Sequence, residues 1–146
     1  SDFTIECWVI FNSVGSTQML VSSNYNASTG AGGWLFAYRQ DNTTLKFGCN
    51  SNVSYEKTWS PSINIWYHVA ASRSGSSLRL FVNGTQIGTT STSTDNISGA
   101  STIVVAGNLG GAPNLVLNGF LQDLRITNYA RYTSNFTAPT AAFPTL

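Results

Sequence analysis

The stretch Trp66 to Gly88, WYHVAASRSGSSLRLFVNGTQIG, constrains this chain more than any other. Two alternating runs meet at a Ser-Gly-Ser step, Ser74 to Ser76, and a third run follows Asn83-Gly84. Successive side chains of a strand point to opposite faces, and Asn-Gly suits the two positive φ angles of a type I′ hairpin turn. The segment therefore predicts a three-stranded antiparallel meander.

The rest of the chain reads as further short strands. Phe3 to Phe11 alternates, with Phe3, Ile5, Cys7, Val9 and Phe11 on a core side and Thr4, Glu6, Trp8 and Ile10 opposite. Gln18 to Ser23 is a second strand, followed by a loop over Asn24 to Gly33. Trp34 to Arg39 is a third, with Trp34, Phe36 and Tyr38 facing one way and Leu35 and Ala37 the other. Leu45 to Cys49 pairs with it across Asp41-Asn42. Asn50 to Pro61 reads as irregular, with Tyr55 and Trp59 standing out in turn-rich surroundings.

Beyond the meander, a Ser/Thr-rich connection leads to a strand at Thr102 to Gly107, a Gly-rich loop and a strand pair over Leu115 to Thr127. The tail from Asn128 onward is expected to lie on the sandwich as an extended strap with one short helical turn. About ten strands with turn signals every 8–12 residues predict an all-β fold. Apolar runs such as Leu78 to Val82 favour two antiparallel sheets whose inner faces meet. The aromatic set Trp34, Phe36, Tyr38 and Phe81 is expected on a concave outer face.

A chain of 146 residues fits a single domain with a real core. Only 9% of residues are charged and the formal net charge is +1, so neither nucleic acid nor an anionic membrane is an expected partner. Solubility rests on neutral groups, chiefly 19 Ser, 17 Thr and 14 Asn. No apolar run approaches the roughly 18 residues of a membrane span. A start at Ser1 suggests a processed product or a piece of a longer polypeptide.

Four segments in order carry a family resemblance: FTIECWV at Phe3, WYHVAASRSGSSLRLFVNG at Trp66, NGFLQDLRIT at Asn118 and ARYTSNFTAPTAAFP at Ala130. Together they resemble the laminin G-like, concanavalin A-like lectin jelly roll, most closely the version found as a module of bacteriophage tail, fibre and other virion-surface proteins. The resemblance implies a two-sheet sandwich over the whole chain, whose loop rim and concave face bind glycans or proteins. It further implies a place on the virion surface, with host-surface glycan or other virion subunits as partners and a homo-oligomer formed through the parent assembly. A structural or decoration module is the alternative to a recognition module.

Departures from that family bear on chemistry. Relatives often carry an Asp where Gln122 falls, and calcium-dependent members gather carboxylates at the rim, whereas the six acidic residues here are scattered, so no metal is expected. Hydrolases of the same fold resemble one another in a Glu-x-Asp-x-x-Glu strand that supplies a carboxylate pair. No such pattern follows Glu6 or Glu56, so no enzyme activity, catalytic residue or cofactor is expected. His68 reads as a structural histidine within a strand. Cys7 and Cys49 each share a face with apolar residues and are expected as two free thiols, a disulfide being the alternative. Six Asn-x-Ser/Thr sequons reflect composition rather than glycosylation.

Aromatic residues are the remaining candidates. Sugar rings present apolar C–H faces to aromatic rings, while their hydroxyls need neutral amide and hydroxyl partners. Tyr25, Tyr55 and Trp59, in or beside loops, and Trp34 and Tyr38, on the expected outer face, are the candidates for glycan contact. Packing under a loop or over the sandwich edge is the competing use of each. Trp8 and Trp66 read as core or intersheet residues.

Overall fold

The computed structural model describes residues 1–24, 33–49, 53–95, 97, 102–108, 115–141 and 143. Ten strands are present among them: β1 (Phe3–Phe11), β2 (Gln18–Ser23), β3 (Trp34–Arg39), β4 (Thr44–Cys49), β5 (Val53–Thr58), β6 (Trp66–Ser74), β7 (Ser77–Val82), β8 (Thr85–Thr92), β9 (Ile103–Val105) and β10 (Gly119–Thr127). They form two five-stranded sheets, ordered β10-β1-β6-β7-β8 and β5-β4-β3-β2-β9, with every pairing antiparallel.

The expected meander is β6 to β8, and positive φ at Gly75, Asn83 and Gly84 carries its two turns. Two expectations differ. The segment read as irregular contains β5, a polar strand at the end of the second sheet. Leu115 to Thr127 supplies one strand, β10, rather than two. The residues before it reach the second sheet through isolated backbone bonds, Met19 N–H to Leu115 O at 3.0 Å and Leu117 N–H to Ala106 O at 3.0 Å.

Alternation places Phe3, Ile5, Cys7, Val9 and Phe11 in the intersheet core, all fully buried. Opposite them stand Phe36, Phe47 and Leu45 of the second sheet. Phe3 and Phe47 rings lie 5.0 Å apart, within the range of tilted aromatic packing. Trp34, Phe36 and Tyr38 belong to this inner cluster, not to an outer face as expected. Leu35 and Ala37 take the outer side and are covered by Met19 and Leu115. Phe81 does face outward, on the other sheet, but is buried beneath the C-terminal strap.

That strap crosses the outer face of the first sheet, with no helix among its described residues. Tyr132 and Phe136 stack at 3.5 Å and meet Phe81 edge-on. Polar contacts pin the strap as well. Thr4 Oγ1 donates to Tyr129 O at 3.0 Å and accepts from Arg131 N–H at 2.9 Å, while Phe136 N–H donates to Gly84 O at 2.9 Å.

Candidate functional site

Register explains what remains uncovered on that outer face. Trp8 of β1 pairs with His68 of β6 and Gln122 of β10, while Ile10 pairs with Trp66 and Phe120. Paired residues share a face, so Trp8, Trp66, Phe120 and Gln122 all stand on the outer side. Trp66 is 40% exposed and Phe120 64%, and Trp8 is half-buried. Trp8 and Trp66 were expected in the core. The correction follows from the alternation of β1, where position 8 lies with Thr4 and Glu6 against the core set.

A bulge shapes the site further. Between Glu6 and Trp8 the register of β10 slips from Arg125 to Gln122, so one extra residue is accommodated. Asp123 takes it up with φ of 52°, a left-handed conformation that Asp tolerates better than most residues. The extra residue lets Leu121 and Leu124 both pack on the core while Gln122 and Arg125 both point out.

Trp8, Trp66, Gln122 and Asp123 form the floor and one side of a groove of about 350 Å³ whose other side is the strap at Pro139, Thr140 and Ala141. Gln122 Nε2 donates to Asp123 Oδ2 at 3.2 Å. Two indole rings beside an amide, a carboxylate and a hydroxyl offer both an apolar platform and polar grips. A second groove of about 560 Å³ runs between the chain start and Ile126, Tyr129 and Arg131. Its aromatic, Tyr129, already lies 4.7 Å from the Arg131 guanidinium, so that ring face is engaged.

Next to the first groove, beneath the strap, lies a fully buried carboxylate. Glu6 accepts from Arg125 Nε at 2.8 Å and Nη2 at 2.7 Å, from His68 Nε2 at 3.0 Å and from the Tyr132 hydroxyl at 2.8 Å. Burial by itself raises the Glu6 carboxyl, and the hydrogen bonds from His68, Tyr132 and Arg125 outweigh it, leaving the group below its ordinary 4.5. Burial and the Glu6 carboxylate push the Tyr132 hydroxyl up to about 12. Glu6 and His68 are thus committed to holding the strap.

The aromatic candidates fare differently. Trp34 and Tyr38, 2% and 3% exposed, are intersheet residues, and Trp59, at 8%, packs against Phe11, Tyr38 and Tyr67 with centroids 5.3–6.1 Å apart. Trp34 and Tyr38 are enclosed because the larger side chains of β3 fill the gap between sheets, and Trp59, just after β5, joins the same cluster. Tyr55 is half-buried, stacked on Phe47, with its hydroxyl donating to Asp95 at 2.6 Å. Tyr25 lies outside the described residues. The structure brings Trp34, Tyr38 and Trp59 together as core, and neither of the two grooves described above is lined by them.

Cys7 and Cys49 are both buried and are not joined in a disulfide. Among the described residues no group of three or more His, Cys, Asp or Glu side chains is placed to hold a metal ion.

Two sheets of five antiparallel strands, packed through an aromatic core and linked by non-sequential pairings, define a lectin-type jelly-roll sandwich. The chain belongs to the laminin G family described as the concanavalin A-like lectin/glucanases superfamily, which matches residues 1–135. No curated protein matches the sequence. Among solved structures, a Bacteroides ovatus protein described as a candidate carbohydrate-binding protein is similar at 15% identity and a TM-score of 0.74, over 90% of this chain and 38% of its own length. The CBM40 of the IT-sialidase from Ruminococcus gnavus, bound to α2,3-sialyllactose, matches at 12% identity and 0.72, over 90% of this chain and 78% of that one. Domain 4 of the arabinanase AbnA from Geobacillus stearothermophilus, in complex with arabinotriose, matches at 16% identity and 0.65, over 88% and 61%. At these identities the likeness establishes the fold.

Proposed function

We propose that this domain is a non-enzymatic recognition module that binds host-surface glycan through the groove between Trp8, Trp66, Gln122, Asp123 and the strap. The observation that carries the reading is the pairing of an exposed indole, Trp66, with polar groups on one open groove. An aromatic ring kept at a solvent-facing site beside hydroxyl-binding groups matches the two-sided chemistry of a sugar. The carbohydrate-bound states of the structural neighbours support it. A non-catalytic role is supported by the fate of Glu6, which four donors hold under the strap away from solvent. A bacteriophage virion surface is the proposed setting, supported by the motif resemblance of the sequence.

Glycan-array screening tests the reading. Binding is expected to fall at least tenfold in Trp66→Ala, a change at an exposed position that leaves the core intact. Undiminished binding in that variant would remove the groove from the reading. A second use, contact with other virion subunits, is favoured by Phe120, an exposed apolar side chain paired across Ile10 from Trp66. Self-association or co-assembly lost in Phe120→Ser, without any glycan binding, would favour it instead.

A further inference from the structure

The charges around the groove narrow the class of ligand, and this step rests on the glycan-binding reading above. Asp123 is the one charged residue in the lining. The other acidic side chains accept hydrogen bonds from elsewhere in the chain: Asp2 from Gly75 N–H, Glu6 from Arg125, Asp41 from Arg39, Glu56 from Asn42 and Asp95 from Tyr55. Asp123 accepts only from its neighbour Gln122 among the described residues, at Oδ2, which leaves Oδ1 as an open acceptor on a residue that lines the groove.

Cations are committed elsewhere. Arg125, which shares the outer face of β10 with Gln122, donates twice to Glu6, and its guanidinium carbon sits 3.7 Å from the centroid of the Phe143 ring. Arg131 points toward Glu6 and Tyr129 and lines the other groove. A carboxylate accepts and never donates. It therefore binds hydroxyl donors through charge-assisted bonds and repels a ligand carboxylate or sulfate.

We propose that the groove selects neutral glycans, with a sugar ring against Trp66 and Trp8 and hydroxyls donating to Asp123, and that it rejects sialylated, uronic and sulfated ones. Asp123 is the specificity-determining residue. Its substitution by Asn is the clean probe, because Asn adopts the left-handed conformation at least as readily and keeps the side-chain shape.

The test screens the intact chain and its Asp123→Asn and Trp66→Ala variants on an array of matched pairs, such as lactose with α2,3-sialyllactose, and repeats positive pairs by titration. Expected are binding of neutral members, anionic partners weaker by tenfold or more, and loss of roughly tenfold in Asp123→Asn, about one charge-assisted hydrogen bond, with the penalty on anionic members relaxed. Equal or tighter binding of an anionic member that Trp66→Ala abolishes would overturn the neutral selectivity and leave glycan binding standing. Neutral binding unchanged in Asp123→Asn would likewise remove Asp123 from the role. Binding indifferent to Trp66→Ala would remove the groove, and its selectivity, from the reading, and no binding to any member would overturn the glycan-binding reading altogether.

Discussion

Replacing Glu6 by Gln probes how the strap is held. The carboxylate is fully buried and accepts from Arg125 twice, from His68 and from Tyr132, all between 2.7 and 3.0 Å. Gln keeps the shape but loses the charge, and its amide nitrogen must face a donor. Removing one partner of a buried ion pair costs about 3–5 kcal/mol. The Arg125 side chain is 20% exposed and partly rehydrates, so about 2–4 kcal/mol is the expected loss. Against a total stability of about 5–15 kcal/mol, the variant folds but with a reduced margin. In urea, with a slope of about 1–3 kcal/mol per molar, the midpoint should fall by about 1–2 M.

The pH dependence carries a sign. Glu6 titrates below its ordinary 4.5 in the folded state, so its stabilisation is fully present above that value and is lost as pH falls through the folded one. The gap between wild type and Glu6→Gln should stay constant near neutrality and close in acid. At the alkaline end, Tyr132 is raised from 10.0 to about 12. Its contribution is present below 10.0 and lost as pH climbs toward 12. A midpoint shift below about 0.3 M at neutral pH, with an unchanged slope, would refute the reasoning that Glu6 is a paired buried charge.

Two further outcomes are expected. Burial pushes the Cys49 thiol up to about 12, and burial followed by the Glu6 charge pushes Cys7 higher still; a thiol reagent at mildly alkaline pH should find no reactive group in the native protein and two per chain after denaturation, and fewer than two would indicate a disulfide. Gly84 has φ of 80°, and a Cβ there would drive into the Phe136 carbonyl oxygen, so Gly84→Ala should cost about 2–4 kcal/mol and loosen the strap, read as a lower urea midpoint with faster amide exchange at Phe136.

Much of this was legible in the sequence because strand periodicity is local. The β1 alternation and the Gly75 and Asn83-Gly84 turns state their own geometry, and the structure follows them. The facing of β3 was not legible, since Trp34, Leu35, Phe36, Ala37 and Tyr38 are apolar on both sides. The structure settles it by volume: the three aromatics fill the intersheet space, and the small pair fits under Leu115. The candidate site was hidden for a different reason. A strict two-residue period through β10 puts Leu121, Asp123 and Arg125 on one face, and only the bulge separates them. Trp8 was readable as outward from its own strand, but its partners Trp66 and Gln122 are brought beside it by pairings that span most of the chain.

On the proposed reading, the strap ties fold to recognition. Residues 1–135 match the family, whereas the groove wall, Pro139 to Ala141, lies past that limit. Anchors hold the segment on either side of the wall, Phe136 bonded to Gly84 and stacked on Tyr132, and Phe143 over Arg125. A short segment fixed at both ends, with a proline restricting φ at position 139, has little freedom left to lose when a ligand enters. The shared sandwich therefore supplies the aromatic floor and the bulged carboxylate, and the tail beyond it sets the width of the groove. On the glycan-binding proposal, changes at positions 139–141 retune which sugar fits without disturbing the core, because Pro139, Thr140 and Ala141 line the groove and lie outside the intersheet cluster.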